Sequence, residues 1–402
     1  MKKCIPSFRL AALFVFALLI VSGYAQGLII DHNCVDITKI PQSWIESAKS
    51  SLHIAYGHTS HGSQITDGMS GLIAFANGGG KGLSLPENIF AWNNGGTDGA
   101  LDLHDYAMGG DVGYYPDWVN NTRTYLGDPD SSTGRGTNNS DVNVIMWSWC
   151  GQVGDKYFYG TLNSEYLEPM TQLESDYPGI TFIYMTGHAD INDDEDNKAA
   201  NQIIRDYCSE NNKVLFDFND IECYDPDGTY YEFVNDNCDY YSSEGTLLGN
   251  WATEWQNSHT AGVDWYTCGA QHSQPLNANQ KAYAAWWMWA CLAGWEPITS
   301  GNVDNAVSKP LAFHLEQNYP NPFNPNTTIS YTVGANNHSP IQYVDLSIYN
   351  ILGQKITNLV SEKQPAGNYS INFNAENLNA GIYFYKLTVG NFEQIRRMVL
   401  VK

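Results

Sequence analysis

Short apolar runs, each closed by glycine, asparagine or a polar cluster, recur through the first three quarters of the chain, separated by stretches with helical spacing. Strands are expected at Leu52–Tyr56, Asn88–Trp92, Val142–Trp149, Thr181–Met185 and Lys213–Phe218, where β-branched and aromatic residues are bounded by turn formers. Val142–Trp149 is apolar at nearly every position, as in a strand covered on both faces. Helices are expected near Pro41–Lys49, at Ile65–Asn77 before the stop Gly78-Gly79-Gly80, and at Tyr115–Tyr125, Leu162–Ser175 and Glu195–Glu210. A final helix, Asn277–Trp295, is so apolar that it must pack on the sheet. Asp102–Asp141 and Cys223–Cys268 read as long polar and aromatic excursions, a length that usually carries function.

Strands alternating with helices in this way predict βαβ units and a parallel sheet. The expected fold over 28–296 is a flavodoxin-like three-layer αβα domain with five mainly parallel strands. After a short polar linker, 297–310, the period changes to two. Thr328–Val333, Val344–Tyr349, Tyr369–Phe373, Ile382–Thr388 and Gln394–Val401 then predict a small β-sandwich over 311–402. At the other end, Lys2 and Lys3, an apolar run from Leu10 to Val21 and the exit Gly23-Tyr24-Ala25 read as a secretory signal peptide over 1–25. That run is too short to anchor in a bilayer, and no transmembrane segment is expected later.

Charge narrows the choice of partners. Twenty basic against 43 acidic residues give a formal net charge of −23, a field that repels nucleic acid and anionic membranes. With 26 Tyr, 12 Trp and only 16% charged residues, the surface is expected to be rich in aromatic and amide groups, as in proteins that meet sugars. Seven cysteines follow the signal, and export would expose them to an oxidising compartment. Cys223 and Cys238 are the expected bridge, and the odd count leaves a free thiol.

The opening Asn318-Tyr319-Pro320-Asn321-Pro322-Phe323-Asn324-Pro325, the segment Tyr349-Asn350-Ile351-Leu352-Gly353 and the segment Leu378-Asn379-Ala380-Gly381-Ile382-Tyr383 resemble the C-terminal sorting domain of the type IX secretion system. That resemblance implies the secretion machinery as a partner, and a location outside the cell or attached to its surface.

The candidate chemistry begins where the strand Leu52–Tyr56 runs into Gly57-His58-Thr59-Ser60-His61-Gly62. Reactive groups at a strand's carboxyl end are placed for chemistry in an open α/β sheet. Ser60 needs a base from elsewhere in the chain, and the best candidate is His272 in Gln271-His272-Ser273-Gln274-Pro275, just ahead of the last helix. This order of elements resembles the SGNH hydrolases. The resemblance implies a secreted esterase acting on acylated polysaccharide or a similar ester, with Ser60, His272 and Asp264 catalytic. It also implies Gly95, Gly96 and Gln152 at the oxyanion, and His58, His61, Trp149 and His188 against substrate. The sequence departs from the family in lacking an aspartate three residues before His272, where Gly269 stands. That leaves either a Ser–His dyad or Asp264 as the acid.

Other readings use the same residues. His58, His61, His104, His188 and His272 could supply imidazoles to a metal and make a metal-dependent hydrolase. No cofactor is otherwise expected; Asp190–Asn197 has spaced oxygen ligands that suggest calcium, without the glycine and glutamate of a calcium loop. Trp92, Trp118, Trp147, Trp149, Trp251, Trp255 and Trp265 could form a stacking platform, the basis of a non-catalytic glycan-binding alternative.

Overall fold

The computed structural model describes residues 27–297, 314–315, 318, 320–333, 341–351, 353–365, 367–389 and 392–402. The expected signal peptide and nearly all of the expected linker lie outside these residues. Two compact units divide after Pro297.

The first unit holds seven strands in one sheet: β1 (Ile29–Ile30), β2 (His53–Gly57), β3 (Trp92–Asn93), β4 (Leu101–Met108), β5 (Val144–Trp147), β6 (Thr181–Met185) and β7 (Val214–Phe216). Their order is β1-β7-β6-β5-β2-β4-β3, and every pairing is parallel. The expectation of five strands is corrected to seven. In β4 the buried residues Leu101 and Leu103 alternate with Asp102 and His104, so the strand reads as polar excursion in the sequence. The expected strand Asn88–Trp92 shrinks to the two residues of β3, and β1 is likewise too short to leave a pattern.

Among the described residues nine α-helices accompany the sheet: α1 (Gln42–Ser51), α2 (Ser63–Asn77), α3 (Asp117–Leu126), α4 (Val153–Phe158), α5 (Glu168–Asp176), α6 (Asp194–Glu210), α7 (Phe218–Glu222), α8 (Trp251–Ser258) and α9 (Pro275–Leu292). Every residue of β5 is buried, so both faces of the sheet are covered. From Leu276 to Cys291 all of α9 is buried, including Trp286, Trp287 and Trp289, as its composition predicts. The helices α2 and α9 pack together. At their crossing Gly68 lies so close to α9 that a β-carbon there would stand 2.1 Å from the Ala278 carbonyl oxygen. Because the crossing is near the first turn of each helix, it draws the loops that precede both helices to one place.

Chain direction reverses within the sheet: from β2 the chain steps outward to β4, whereas β5, β6 and β7 step the other way. The crevice between β2 and β5, at their carboxyl ends, is therefore the switch point where ligands bind in open parallel sheets.

In the second unit β10 (His314–Leu315), β11 (Asn326–Val333) and β14 (Gly367–Asn374) form one antiparallel sheet. A second is built of β12 (Ile341–Asn350), β13 (Lys355–Pro365), β15 (Gly381–Val389) and β16 (Phe392–Leu400). Residues of both sheets, among them Ile329, Tyr331, Leu346, Ile348, Tyr385, Leu387 and Met398, share one buried cluster. The remaining strands, β8 (Asp239–Tyr241) and β9 (Leu247–Asn250), form a separate hairpin in the first unit.

Candidate active site at the sheet's switch point

Two segments meet at this crevice. After β2, Gly57 lets the backbone pass Trp147, whose ring would be 2.5 Å from a β-carbon there. The turn from Thr59 to Gly62 then leads into α2. After β5, Trp149 and Cys150 precede Gly151, whose φ of +84° suits glycine, and the turn leads into α4.

The α2–α9 crossing brings His272 to the same place. His272 Nε2 lies 3.0 Å from Ser60 Oγ, although the two residues are 212 positions apart. His272 is exposed and adopts a φ of +65°, strained for a residue with a β-carbon. Gln64 on α2 holds its loop by donating from Nε2 to the Gln271 carbonyl at 2.6 Å.

A second chain of contacts crosses the first. Cys150 Sγ lies 3.5 Å from Ser60 Oγ and 3.2 Å from His61 Nδ1, while His61 Nε2 stands 3.1 Å from Asp236 Oδ2. Burial opposes charge on His61, but its hydrogen bonds to Asp236 and Cys150 outweigh burial and raise its pKa to about 9. The hydrogen bond from His61 likewise overcomes burial at Cys150 and lowers that thiol to about 6. Asp236 is held below the usual carboxylate range; burial works against this, and the His61 hydrogen bond prevails. Near neutral pH the set is a thiolate, an imidazolium and a carboxylate, the arrangement that activates a cysteine nucleophile.

His61 is stacked between two other imidazoles, with centroids 3.9 Å from His188 and 4.5 Å from His272. Burial lowers the His188 pKa, and the neighbouring His61 adds to this. Because His188 Nδ1 faces the Ala189 carbonyl at 2.8 Å, its proton belongs there; the buried Nε2 then carries a lone pair and has no partner. Ligand atoms of His61, His188 and Asp236 lie within 4.8 Å of one another, so of the five histidines considered for a metal only His61 and His188 share such a group, with Asp236 as the third member.

Thus Ser60, His61, His188 and His272 come together, and several other expected residues do not. Gly95 and Gly96 are at the wrong end of the sheet. The Gly95 amide donates to Asp102 Oδ1, and Asp102 pairs with His53, the first residue of β2. Four residues of strand, ~13 Å, separate that end from the switch point. Asp264 is not behind His272; its Oδ2 caps the Thr260 amide at 2.9 Å. Gln152 does reach the site, with Oε1 accepting from the Cys150 amide at 3.1 Å. His58 is a bound structural imidazole, with Nε2 2.7 Å from Asp105, Nδ1 2.8 Å from the Thr59 carbonyl, and its ring between Tyr56 and Tyr106. Trp149 is core: it is buried, donates to the Met185 carbonyl and packs edge-on to Tyr166. Trp118, Trp147 and Trp251 are buried too, which removes them from a sugar platform. His104 binds the Tyr125 hydroxyl in mid-strand.

Cys223 and Cys238 are buried thiols outside any disulfide, as are Cys34 and Cys208. The expected bridge is absent; Cys238 Sγ instead lies 3.5 Å from Ser273 Oγ. In the segment considered for calcium, Asp190 caps the Asn192 amide and Asp194 pairs with Lys198, as acids do at a helix start.

A buried ion pair supports these loops. Lys281 on α9 contacts Glu222 at 2.5 Å and also bonds Gln64, and Glu222 accepts from the Ala189 amide at 2.7 Å. The pair ties α2, α7, α9 and the His188 loop together. Replacing Lys281 by Met should strand the Glu222 charge and cost ~3–5 kcal/mol in denaturant unfolding. The double replacement with Glu222→Gln should recover much of that.

Residues 317–402 match the family model of the secretion system C-terminal sorting domain. The protein is exported. Its sorting domain interacts with the secretion machinery and takes the protein to the cell surface or the medium, and no described helix is long and apolar enough to cross a membrane. Deleting 317–402 should leave the product inside the outer membrane, which fractionation and immunoblotting would read. No curated protein matches the chain. Among solved structures, the sensor domain of the anti-sigma factor RsgI4 in Pseudobacteroides cellulosolvens is similar at 15% identity, over 24% of this chain and 98% of that one, with a TM-score of 0.19. The endo-beta-1,4-mannanase from Thermotoga petrophila is similar at 8% identity, over 65% of this chain and 47% of that one, with a TM-score of 0.17. Likeness at this level carries no argument about fold or activity.

Proposed function

We propose that the first unit is a hydrolase of SGNH type that cleaves esters, on acylated polysaccharide or a similar exported substrate, by covalent acyl transfer. The observation that carries this reading is the 3.0 Å approach of Ser60 Oγ to His272 Nε2 at the sheet's switch point. Taking β2, β4, β5, β6 and β7 as strands one to five, the central order is 2-1-3-4-5, that of flavodoxin-like sheets. In the reaction, His272 takes the Ser60 proton as Oγ adds to the ester carbonyl, and returns it to the leaving alcohol. Water, deprotonated by the same imidazole, then releases the acid and restores Ser60.

A second reading is favoured by the Cys150–His61–Asp236 chain, in which the thiolate performs the same attack. A thiolate 3.5 Å from Ser60 Oγ opposes negative charge on that oxygen, which weighs for this alternative. One experiment separates the two. Aryl acetates and acetylated glycans are supplied to the purified protein, the reaction is quenched during turnover, and the acyl group is mapped by peptide mass spectrometry. An adduct on Ser60 supports the first reading and an adduct on Cys150 the second; no turnover of any ester sinks both.

A further inference from the structure

His188 carries a group that the acyl-transfer chemistry leaves unused. The residue is 6% exposed, its Nδ1 faces the Ala189 carbonyl at 2.8 Å, and its buried Nε2 has no hydrogen-bond partner. With the proton on Nδ1, Nε2 holds a lone pair, and a buried lone pair without a partner calls for a ligand that accepts it. The position facing that nitrogen is Gly151, where a β-carbon would stand 3.5 Å from it.

The neighbours of His188 decide which ligand. His61, His188 and Asp236 offer ligand atoms that lie within 4.8 Å of one another. Two other groups among the described residues meet the same distance, Asp31 with His32 and Asp220, and His53 with Asp102 and Asp141, but neither holds a bare buried nitrogen. In the His188 group both rings have Nδ1 committed elsewhere, His188 to the Ala189 carbonyl and His61 to Cys150 Sγ at 3.2 Å, so each offers Nε2. An acceptor on the second ring nitrogen is what orients imidazoles that bind metals. Two imidazoles and a carboxylate suit a borderline divalent ion such as zinc, whereas magnesium and calcium take oxygen ligands. A hydrogen-bonding solute would need an opening at Nε2; an ion sits among its ligands at about 2.0–2.1 Å and needs none. Closing the three side chains on it takes a movement on the order of 1 Å.

The ligands come from three separate parts of the chain that are fastened in place. His61 lies in the turn before α2, His188 follows β6, and Asp236 precedes β8. The Ile191 amide donates to Asn235 Oδ1 at 3.3 Å, which joins the His188 and Asp236 loops. Asn197 Nδ2 donates to the His188 carbonyl at 3.1 Å, and the Ala189 amide donates to Glu222 at 2.7 Å.

We propose that His61, His188 and Asp236 form a site for one zinc-class divalent ion at the edge of the reactive cluster, with a coordination position left open. The ion replaces the proton between His61 Nε2 and Asp236 Oδ2, and that proton passes to solvent. The site does not depend on the hydrolase reading, because binding here needs neither Ser60 nor His272.

The test uses the full-length mature protein, freed of metal by a chelator and titrated calorimetrically with Zn2+, with bound metal counted by elemental analysis. The expected result is saturable binding of one equivalent. Loss of an outer partner of a metal ligand already costs 10–100-fold in affinity, so His188→Gln and Asp236→Asn should each weaken binding about tenfold or more. Asp236 is half-buried, so Asp236→Asn keeps the test open should His188→Gln fail to fold, and thermal midpoints without metal are the control. His53→Gln, in the group at the amino end of β2, and Ser60→Ala should bind as the parent does. Absence of a stoichiometric ion, binding that both ligand variants leave at the parental level, or binding lost in His53→Gln overturns the proposal. Because the readout is bound metal and not ester turnover, failure here is distinguishable from failure of the hydrolase assignment.

Discussion

Alanine at position 60 is expected to lower ester turnover ~10⁴-fold or more while leaving the thermal midpoint within about a degree of the parent. The hydroxyl makes its contacts only to His272 and Cys150, neither of which supports the core, so its loss removes chemistry and not packing. His272→Ala should fall nearly as far, and the two losses together should not exceed the larger one by much, since a nucleophile without its base and a base without its nucleophile are equally idle. Asp264→Asn should leave the rate unchanged, because that carboxylate caps the Thr260 amide and makes no hydrogen bond to His272. Steady-state kinetics on an aryl acetate, with calorimetric unfolding as the control, reads all of these. A Ser60→Ala variant that keeps a tenth of parental activity would move the nucleophile to Cys150.

The second large effect concerns that thiol. Alkylation of Cys150 by iodoacetamide should rise as pH increases through about 6 and then level off, well below the usual thiol value of about 9. The sign follows from the ion pair: the His61 hydrogen bond favours the thiolate, so deprotonation, and with it reactivity, arrives early. At pH 7 such a group is about a hundredfold richer in thiolate than an ordinary cysteine. Burial pushes Cys34, Cys208, Cys223, Cys238, Cys268 and Cys291 the other way, and they should stay unlabelled over the same minutes. His61→Asn should return the inflection towards 9, with Asp236→Asn shifting it the same way by less. The readout is the mass of the Cys150 peptide against pH, and an inflection near 9 in the parent would remove the ion pair from the account.

Some of this was open to inspection in the sequence. A largely apolar run becomes β5, an Ala- and Trp-rich run becomes the buried α9, and Ser60 and His272 stand out because each lies in a polar turn between regular elements. What was hidden has physical causes. In β4 the outward Asp102 and His104 dilute the apolar signal of a strand near the sheet edge. Gly95 and Gly96 look like a strand exit, and they are one, but β3 pairs with only the first two residues of β4, and that offset leaves them at the far end. Asp236 sits in an irregular loop where no periodicity points to it, and only folding brings it to His61. Cys150 carries no spacing signal that links it to His61, and only folding sets its thiol 3.2 Å from His61 Nδ1.

The tight crossing at Gly68 has a kinetic meaning. Since the spacing of Ser60 and His272 is set by two helices in contact rather than by a closing lid, the reacting atoms are within range before substrate arrives. Pre-steady-state progress curves should therefore begin without a lag, and a wedge at that crossing, not a change in loop length, is how such a pair would be uncoupled.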